Sequence, residues 1–320
     1  MALILREDDV RSLLSMHDTV AVLEEAFNAQ SQGMVVNQPR SRIMIPNGVL
    51  NTQAAAAPTF GVLGYKTYTA FREGVRSVVL LFSAHDGSLL AIIEAEWLGA
   101  MRTGAASALA TKYLARPDAH IVGLIGAGKQ AVTQLMGVCS LLPALSTVLV
   151  YCRQQSVREL FCQEMSHLLN LDVRPVLTAK EAVEYADILI TATTSRYPVF
   201  EGAWLKPGCH INAIGSNWAQ RRELDSATIQ HCSLVVTDSL EQACVEAGDL
   251  IIPANEGLFD LSEVHELSEI VSIDIPWRET PDAITLYKGI GIALEDIITA
   301  AHVYYCARQH NRGEEIQLIL

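Results

Sequence analysis

The spacing of apolar residues changes along the chain, and each change predicts a different kind of structure. Residues 7–32 repeat apolar side chains at helical spacing, with Val20, Leu23, Ala26 and Phe27 on one stripe. From about residue 40 the period becomes that of strands, and Asp86-Gly87 is typical of a hairpin turn. The chain is therefore expected to open with helices and to continue into an antiparallel sheet. The strands predicted in this region are 42–45, 61–69, 77–83 and 89–94.

A helix rich in small residues is predicted at 97–114, and beyond it strands and helices alternate. We place a domain boundary at Pro117, because the residue before a proline disfavours helix. The alternation indicates a parallel, doubly wound sheet. The predicted strands are 121–125, 147–151, 172–177, 188–192, 211–214 and 234–237, and the helices are 129–141, 156–169 and one that begins with the capping box at Thr178-Ala179-Lys180-Glu181.

A strand at 284–287 and a long apolar helix at 292–309 end the pattern, and we expect this helix to pack on the first domain. The expected fold is of the α/β class. It combines an α+β substrate-binding and dimerisation domain, residues 1–117 completed by 292–320, with a Rossmann-type domain, residues 118–291. A chain of 320 residues is long enough to form two such cores.

Composition and charge argue against several classes of protein. No apolar run approaches the roughly 20 residues that a membrane span needs. The formal charge is −13 without a basic cluster, so we expect no binding to nucleic acid. The seven cysteines are scattered without a C-x-x-C motif, which favours reduced thiols over disulfides or a metal site. Because the first residues turn acidic at once, where a secretion signal would be basic, the expected location is the cytoplasm.

A glycine-rich turn, Gly126-Ala127-Gly128-Lys129-Gln130-Ala131, follows the apolar strand 121–125 and opens a helix. In this context Gly126 allows a tight turn, Gly128 lets the backbone approach a pyrophosphate, and Ala131 permits close packing of helix on strand. The helix N-terminus adds N–H donors for phosphate. We therefore predict a dinucleotide site, although the hexapeptide without its context is equally typical of an ordinary turn.

The choice between NAD(H) and NADP(H) is made at the end of the next strand. An acidic residue there binds the ribose 2′-hydroxyl of NAD, but this chain has no carboxylate before Glu159. Arg153 stands at the strand end and suits a 2′-phosphate, with Arg158 as a more distant helper. We predict a preference for NADP(H) over NAD(H). The alternative is that Arg153 is an ordinary solvated arginine.

Three cations in the first domain, Arg42, Lys66 and Arg102, stand among apolar or small residues. Charged side chains are rarely buried without a partner. A small carboxylate substrate is one such partner, because arginine binds it bidentately and lysine adds a charge that can also move a proton. The alternative is that these side chains reach solvent or pair with a protein carboxylate such as Glu94 or Glu96.

These cations and the glycine-rich turn belong to a wider resemblance. The chain resembles the ornithine cyclodeaminase and mu-crystallin family over essentially its whole length. The resemblance implies a substrate domain completed by the C-terminal helix, a Rossmann domain and a homodimer. It is carried by Arg42, Lys66, residues 101–107, residues 125–128, residues 206–215, residues 222–225 and residues 291–296.

The resemblance also implies roles for individual residues. Arg42, Lys66 and Arg102 would form the group that binds the substrate carboxylate, with Lys66 and Arg102 also catalytic. Lys288 matches a position near the nicotinamide in the reductase branch, and the alternative is a surface lysine after a strand. The remaining cofactor positions implied are Thr103, Gly126, Ala127, Gly128, Lys129, Gln130, Arg153, Thr193 and Ile214.

Two carboxylates of the true cyclodeaminases are replaced by amides in this chain. The family's aspartate after the Asn-Ala-(Ile/Val)-Gly strand corresponds to Asn217, and its glutamate 13 positions before the lysine corresponds to Gln53. An amide cannot accept a proton as a carboxylate does or offer the charge that holds an ammonium group. Ornithine cyclisation is therefore not expected. Gln53 would remain in the substrate site, and Asn217 is either a catalytic hydrogen-bonding group or an asparagine favoured at a strand-end turn.

The function that this combination predicts is NADPH-dependent reduction of a cyclic ketimine carboxylate. Arg42 and Arg102 would hold the carboxylate of 1-pyrroline-2-carboxylate or 1-piperideine-2-carboxylate, and Lys66 would polarise or protonate the imine. The products would be L-proline or L-pipecolate. The alternatives are an amino-acid dehydrogenase of the alanine type, a family member that acts on a diamino-acid derivative, and a mu-crystallin-like binding protein. Because a binding protein would not need Lys66, its presence together with both arginines favours an enzyme.

Overall fold

A computed structural model describes residues 1–317 and divides the chain into two compact units. Unit 1 is Met1–Thr103 together with the chain from Gly291 on, and unit 2 is Gly104–Ile290. The division falls inside the helix Glu96–Leu114, whereas the sequence predicts it at Pro117. The helix is assigned to unit 2 from Gly104 on because its small residues allow close packing there. A side chain at Gly104 would come within 2.2 Å of the Thr133 carbonyl oxygen.

The secondary structure follows the alternation predicted for the second half of the chain. The strands are β1 Ala2–Leu5, β2 Val36–Ile45, β3 Gly48–Ala57, β4 Val62–Phe71, β5 Gly74–Ser83, β6 Leu89–Glu94, β7 Ile121–Ile125, β8 Thr147–Tyr151, β9 Asp172–Pro175, β10 Ile188–Thr191, β11 His210–Ala213, β12 Cys232–Thr237, β13 Val264–Glu266, β14 Ile284–Lys288 and β15 Glu314–Ile316. The α-helices are α1 Glu7–Leu13, α2 Met16–Ser31, α3 Glu96–Leu114, α4 Lys129–Leu141, α5 Gln155–Leu169, α6 Ala179–Glu184, α7 Ser226–His231, α8 Leu240–Glu246, α9 Gly248–Asn255, α10 Leu267–Ser272 and α11 Ala293–His310.

Unit 1 is built on a seven-stranded sheet in the order β15-β1-β6-β5-β4-β3-β2. Its neighbouring strands are antiparallel except β1 and β6, which are parallel. The expected hairpin joins β5 to β6, with Gly87 at φ +73°. Three strands of this sheet were not expected: β1, β3 and β15. β1 lies in the opening residues, and β3 ends in four alanines, which carry little strand propensity of their own.

Helix α11 packs on this sheet, as expected for the helix that completes the first domain. Most of its side chains are buried, and it contacts α2, β3 and β4. Close approach depends on Gly64 of β4, because a side chain there would come within 3.1 Å of Ile297 Cδ1. The N-terminal part of α11 therefore lies over β4.

Unit 2 contains an eight-stranded parallel sheet in the order β13-β12-β14-β11-β10-β7-β8-β9. Six of these strands, β9-β8-β7-β10-β11-β14, repeat the 3-2-1-4-5-6 order of dinucleotide-binding folds. Alternate residues of β10 enter two different cores: Ile188 and Ile190 join one, and Leu189 joins the other. A sheet with a core on both faces is the predicted doubly wound α/β architecture. Within residues 1–317 no helix has the length and apolar character to span a bilayer.

Candidate functional site

In unit 1, strand pairing brings two of the predicted substrate residues to one face of the sheet. Gln53 of β3 lies directly opposite Lys66 of β4, and both side chains are buried. Along β4 the buried positions alternate as Val62, Gly64 and Lys66. The lysine therefore occupies a position that would hold an apolar residue in an ordinary half-buried strand.

The first turn of α11 supplies carboxylates to the cations of this face. Asp296 Oδ1 lies 2.8 Å from Lys66 Nζ and 3.1 Å from Arg102 Nε, and Glu295 Oε2 lies 2.5 Å from Arg102 Nη1. Neither carboxylate is more than 1% exposed. A helix N-terminus stabilises negative charge, so the first turn of α11 is a favourable place for two acidic residues. The partners of Lys66 and Arg102 thus come from α11 rather than from Glu94 or Glu96.

Gly291, just before α11, holds the same cluster together. Its carbonyl oxygen accepts hydrogen bonds from Arg40 Nη2 at 2.7 Å and from Gln53 Nε2 at 2.9 Å. Its φ is +77°, and a side chain would come within 2.5 Å of Arg102 Nη1. The position therefore requires glycine for its backbone conformation and for the space that the Arg102 guanidinium needs.

The surroundings of Lys66 favour its neutral form more than water does. Burial lowers its pKa, and the positive charges of Arg102 and Arg40 act in the same direction. The carboxylate of Asp296 opposes them but leaves the pKa below the usual value for lysine. Lys66 therefore releases its proton more readily than an exposed lysine, which suits a group that must donate one during a reaction.

Two further residues predicted in unit 1 lie on the same elements. Arg42 is half-buried on β2 opposite Asn51, which is buried on the same face of β3 as Gln53. Thr103 is half-buried on α3, where its hydroxyl donates to the Gly99 carbonyl oxygen at 2.7 Å. The residues that the sequence analysis missed are Arg40, Gly291, Glu295 and Asp296. Two adjacent acids at the start of an apolar helix were the available signal.

In unit 2, the predicted turn joins β7 to α4, and its two glycines differ in their surroundings. Gly126 has φ +115°, and a side chain there would come within 2.4 Å of the Ala192 carbonyl oxygen. Gly128 precedes the first residue of α4, and a side chain there would meet no protein atom within 4 Å. Gly126 is thus required by the fold. At Gly128 the space beside the helix N-terminus is open, which fits the approach of a pyrophosphate.

The other cofactor residues expected in unit 2 follow strands at the same carboxyl edge of the sheet. Ala127, Lys129 and Gln130 lie on the turn after β7, and Thr193 and Ile214 follow β10 and β11. Arg153 is exposed just after β8, as recognition of a 2′-phosphate would need. The half-buried Asn217 lies a few residues beyond β11.

Two predicted basic residues of unit 2 are buried instead of exposed. Arg158 is only 6% exposed and donates to the Cys152 carbonyl oxygen at 2.8 Å, so it does not serve as a helper for a 2′-phosphate. Lys288 is fully buried, and its ammonium lies 3.0 Å from Asp249 Oδ2. It is not the surface lysine considered as an alternative. The ammonium also donates to the carbonyl oxygens of Ala213 and Ser216, and its contact with the cofactor stays a prediction.

Comparison with known proteins places this site in a family. The model of the ornithine cyclodeaminase/mu-crystallin family matches residues 1–311. The chain belongs to this family. It is 32% identical over 325 residues to the Delta(1)-pyrroline-2-carboxylate reductase of Bacillus cereus, covering 98% of this chain and 99% of that protein. The resemblance read from the sequence is therefore confirmed.

Solved structures of similar proteins share the fold of this family member. The Thermococcus litoralis Delta(1)-pyrroline-2-carboxylate reductase, in complex with NADH and L-proline, has a TM-score of 0.95 and 38% identity, covering 98% of this chain and all of that one. An archaeal alanine dehydrogenase dimer with bound NAD has a TM-score of 0.93 and 29% identity, covering 99% of both chains. The predicted fold class is confirmed by these neighbours.

Proposed function

We propose that this family member is an oxidoreductase of proline metabolism that uses NAD(P)H to reduce the C=N bond of a cyclic ketimine carboxylate. The substrates are 1-pyrroline-2-carboxylate and 1-piperideine-2-carboxylate, and the products are L-proline and L-pipecolate. The observation that carries the proposal is the buried Lys66, held by Asp296 beside Arg102. Similarity to reductases with this substrate, one of them solved with NADH and L-proline, supports it.

In this proposal the arginines of unit 1 bind the substrate carboxylate. A guanidinium offers paired N–H donors that match the two oxygens of a carboxylate. Asp296 and Glu295 orient Arg102 through its Nε and Nη1 atoms, and Arg42 reaches the same face of the sheet from β2. Because arginine stays charged at neutral pH, this part of the site is insensitive to mild changes of pH.

Lys66 supplies the proton that the reduction consumes. When bound, the reduced nicotinamide supplies a hydride to the imine carbon, and the nitrogen must gain one proton to give the secondary amine. The Lys66 ammonium is the proton donor, and its lowered pKa makes the transfer easier. Asp296 keeps the ammonium oriented, while Gln53 and Asn217 contribute hydrogen bonds to the substrate rather than charge.

For the cofactor, we propose NADPH in preference to NADH. The open space at Gly128 and the N-terminus of α4 would receive the pyrophosphate, and the exposed Arg153 would pair with the 2′-phosphate. The adenosine half would therefore depend on residues of β7, α4 and the segment after β8. Further contacts with the cofactor would come from residues that follow β7, β10 and β11, namely Lys129, Gln130, Thr193 and Ile214.

An assay of NADPH oxidation tests this function. Purified protein should oxidise NADPH with each of the two cyclic imines, without added ammonia, and more efficiently than it oxidises NADH. Lack of activity with both imines would reject the proposal. Conversion of ornithine to proline and ammonia would show that the amides at Gln53 and Asn217 do not exclude cyclisation.

A second candidate function is that of an amino-acid dehydrogenase of the alanine type. Similarity to the archaeal alanine dehydrogenase, which shares the fold and was solved with NAD, favours it. Such an enzyme would reduce pyruvate only in the presence of ammonia. The same assay, run with pyruvate and ammonium chloride, separates the two functions by their dependence on ammonia.

We also propose that the protein works as a homodimer. The sheet face of unit 1 that points away from α11 exposes several apolar side chains, among them the cross-strand pair Ile43–Leu50 and Leu63 and Tyr65 of β4. Exposed apolar patches of this kind mark interaction surfaces. A second copy of the chain is the partner we propose for this face, because the neighbouring alanine dehydrogenase is a dimer.

The cytoplasm is the location that we propose for this dimer. All seven cysteines are unpaired in the structure. Unpaired thiols are typical of proteins that stay in a reducing compartment.

A further inference from the structure

Three charged residues that this mechanism does not use form a buried network in unit 2. Glu223, Asp249 and Lys288 have no exposed surface. Their sites lie at the carboxyl edge of the parallel sheet, where ligands bind in open α/β folds. Burying ionised groups is costly, and replacing them with apolar residues of similar size is often neutral or stabilising. A buried charged network of this kind is therefore weak evidence for a gain in stability, and a role in the nucleotide site deserves a test.

Glu223 ties together the segments that follow two neighbouring strands, β10 and β11. Its Oε1 accepts the Thr193 N–H at 2.7 Å, and its Oε2 accepts the Gly215 N–H at 2.8 Å. The Thr191 hydroxyl also donates to Oε2, at 2.8 Å. The carboxylate packs against Gly215 so closely that a side chain there would come within 2.5 Å of it. One carboxylate therefore fixes the spacing between the two segments.

Asp249 and Lys288 hold Glu223 in place. Asp249 Oδ1 accepts the backbone N–H groups of Glu223 at 2.6 Å and Leu224 at 2.9 Å, while its Oδ2 lies 3.0 Å from Lys288 Nζ. Lys288, at the end of β14, donates to the carbonyl oxygens of Ala213 at 3.2 Å and Ser216 at 2.6 Å. The network thus joins the ends of β10, β11 and β14.

The strand order assigns these three strands to one half of the nucleotide site. A sheet of this order consists of two mononucleotide-binding halves, with the pyrophosphate at the turn after the first strand. β7, β8 and β9 form the half that begins with the Gly126–Gly128 turn. β10, β11 and β14 form the other half, which would receive the nicotinamide mononucleotide.

We infer that Glu223 is a positioning residue for the nicotinamide half of the cofactor. It acts through the backbones of Thr193 and Gly215, and Asp249 and Lys288 fix its own position. The inference rests on the proposed use of NAD(P)H. The burial of Glu223 and the charge of Asp249 raise the pKa of Glu223, while its hydrogen bonds with Thr193 and Thr191 and the charge of Lys288 act in the opposite direction.

Binding of whole and partial cofactors tests this role. Glu223→Gln replaces one acceptor oxygen with an NH₂ group. One backbone N–H then faces another hydrogen-bond donor instead of an acceptor. We expect its Kd for NADPH, measured by nicotinamide fluorescence, to rise about tenfold. The Kd for 2′,5′-ADP, measured by calorimetry, should change less than twofold because that fragment lacks the nicotinamide.

Glu223→Asp, which keeps both oxygens but is shorter by one methylene, should change the NADPH Kd in the same direction. NADH and ADP-ribose serve as the second pair of probes.

A matched control lies in the same sheet, at the amino ends of its strands. Asp187 is a buried carboxylate whose Oδ2 accepts the N–H groups of His120 and Ile121 at the amino end of β7. Asp187→Asn should lower the melting temperature but leave every Kd unchanged.

Each other outcome contradicts the proposal in a distinguishable way. An unchanged NADPH Kd in both Glu223 variants, or an equal rise for NADPH and 2′,5′-ADP, would overturn the positioning role while leaving the cofactor site intact. If Glu223→Gln does not fold, the result with Glu223→Asp decides. Wild-type protein that binds none of the four probes would instead reject the use of NAD(P)H and, with it, this role.

Discussion

The ammonium of Lys66 and the carboxylate of Asp296 form a buried ion pair at 2.8 Å, although 230 positions separate the two residues in the sequence. The pair joins β4 of the N-terminal sheet to the helix that completes unit 1. It also connects to Arg102, because the same Asp296 oxygen lies 3.1 Å from Arg102 Nε. The charge and the position of the proposed proton donor are therefore set by residues from three separate parts of the chain.

Replacing Lys66 should abolish the reaction without removing the cofactor site. Lys66→Met removes the proton donor, so we expect kcat with a cyclic imine to fall about 10² to 10⁴-fold. Since the predicted nucleotide residues of the glycine-rich turn lie in unit 2, the Kd for NADPH should stay within twofold of the wild type. The control is Lys180→Met, at an exposed position on α6. Substantial activity in Lys66→Met would contradict the mechanism.

The pH dependence of the reaction should report the ionisation of Lys66. Because the protonated form is the donor, kcat/KM should be level at lower pH and fall as pH rises through the lowered pKa of Lys66. Asp296→Asn removes the charge that opposes this lowering, so the fall should move to lower pH. A pH–rate profile of both proteins measures it. A fall that stays in place or moves to higher pH would argue against the role of Asp296.

The two glycines of the turn should respond differently to alanine. Gly126→Ala creates a contact of 2.4 Å with the Ala192 carbonyl oxygen and forces alanine to φ +115°, so the melting temperature should drop. Gly128→Ala meets no protein atom, and its φ of −99° suits alanine, so the melting temperature should change little. Its methyl group would fill the space for the pyrophosphate, and we expect NADPH binding to weaken about tenfold, or about 1.4 kcal/mol. Equal stability of the two variants would contradict this assignment.

Arg153 should determine the preference between the two nicotinamide cofactors. In Arg153→Ala we expect kcat/KM with NADPH to fall about tenfold while the value with NADH stays nearly unchanged, because only NADPH carries the 2′-phosphate. Arg174→Ala, at an exposed arginine on β9, is the matched control. If the wild type uses NADH as efficiently as NADPH, the proposed preference is wrong.

The exposed face of the unit 1 sheet should control the oligomeric state. Tyr65→Glu places a charge on this face, and light scattering after size-exclusion chromatography should then give the mass of a monomer where the wild type gives a dimer. Leu160→Glu alters an exposed apolar residue on α5 of unit 2 and should leave the dimer intact. A wild-type protein that elutes as a monomer would refute the proposed assembly.

The sequence predicted the parallel unit well, because its local signals agree with its tertiary structure. The bounds of β7, α4 and β8 match the prediction residue for residue, and Thr178 caps α6 through the N–H of Glu181, as the capping box indicates. Buried strands separated by capped helices leave few alternatives for the chain. In unit 1, β3 was missed because its alanines give no strand signal.

The candidate site was predicted only in part, for a physical reason. Lys66 and Arg102 could be singled out because cations among apolar residues need partners, but the identity of a partner 230 positions away is a property of packing. Two adjacent acids at the start of α11 were a signal for a functional site, but the sequence did not pair them with Lys66 and Arg102 in preference to Glu94 and Glu96. The burial of Lys288 and Arg158 was also beyond sequence patterns, since nothing local distinguishes them from surface residues.

The arrangement of Arg40, Gln53 and Arg102 depends on one residue without charge, Gly291. Its carbonyl oxygen receives Arg40 and Gln53, and the place of its missing side chain is taken by the Arg102 guanidinium. One added methyl group would displace that guanidinium while leaving every charged residue of the cluster in the sequence. A relative could thus retain the complete set of acids and bases and still have lost the reaction, and a survey of charged positions alone would not detect that loss.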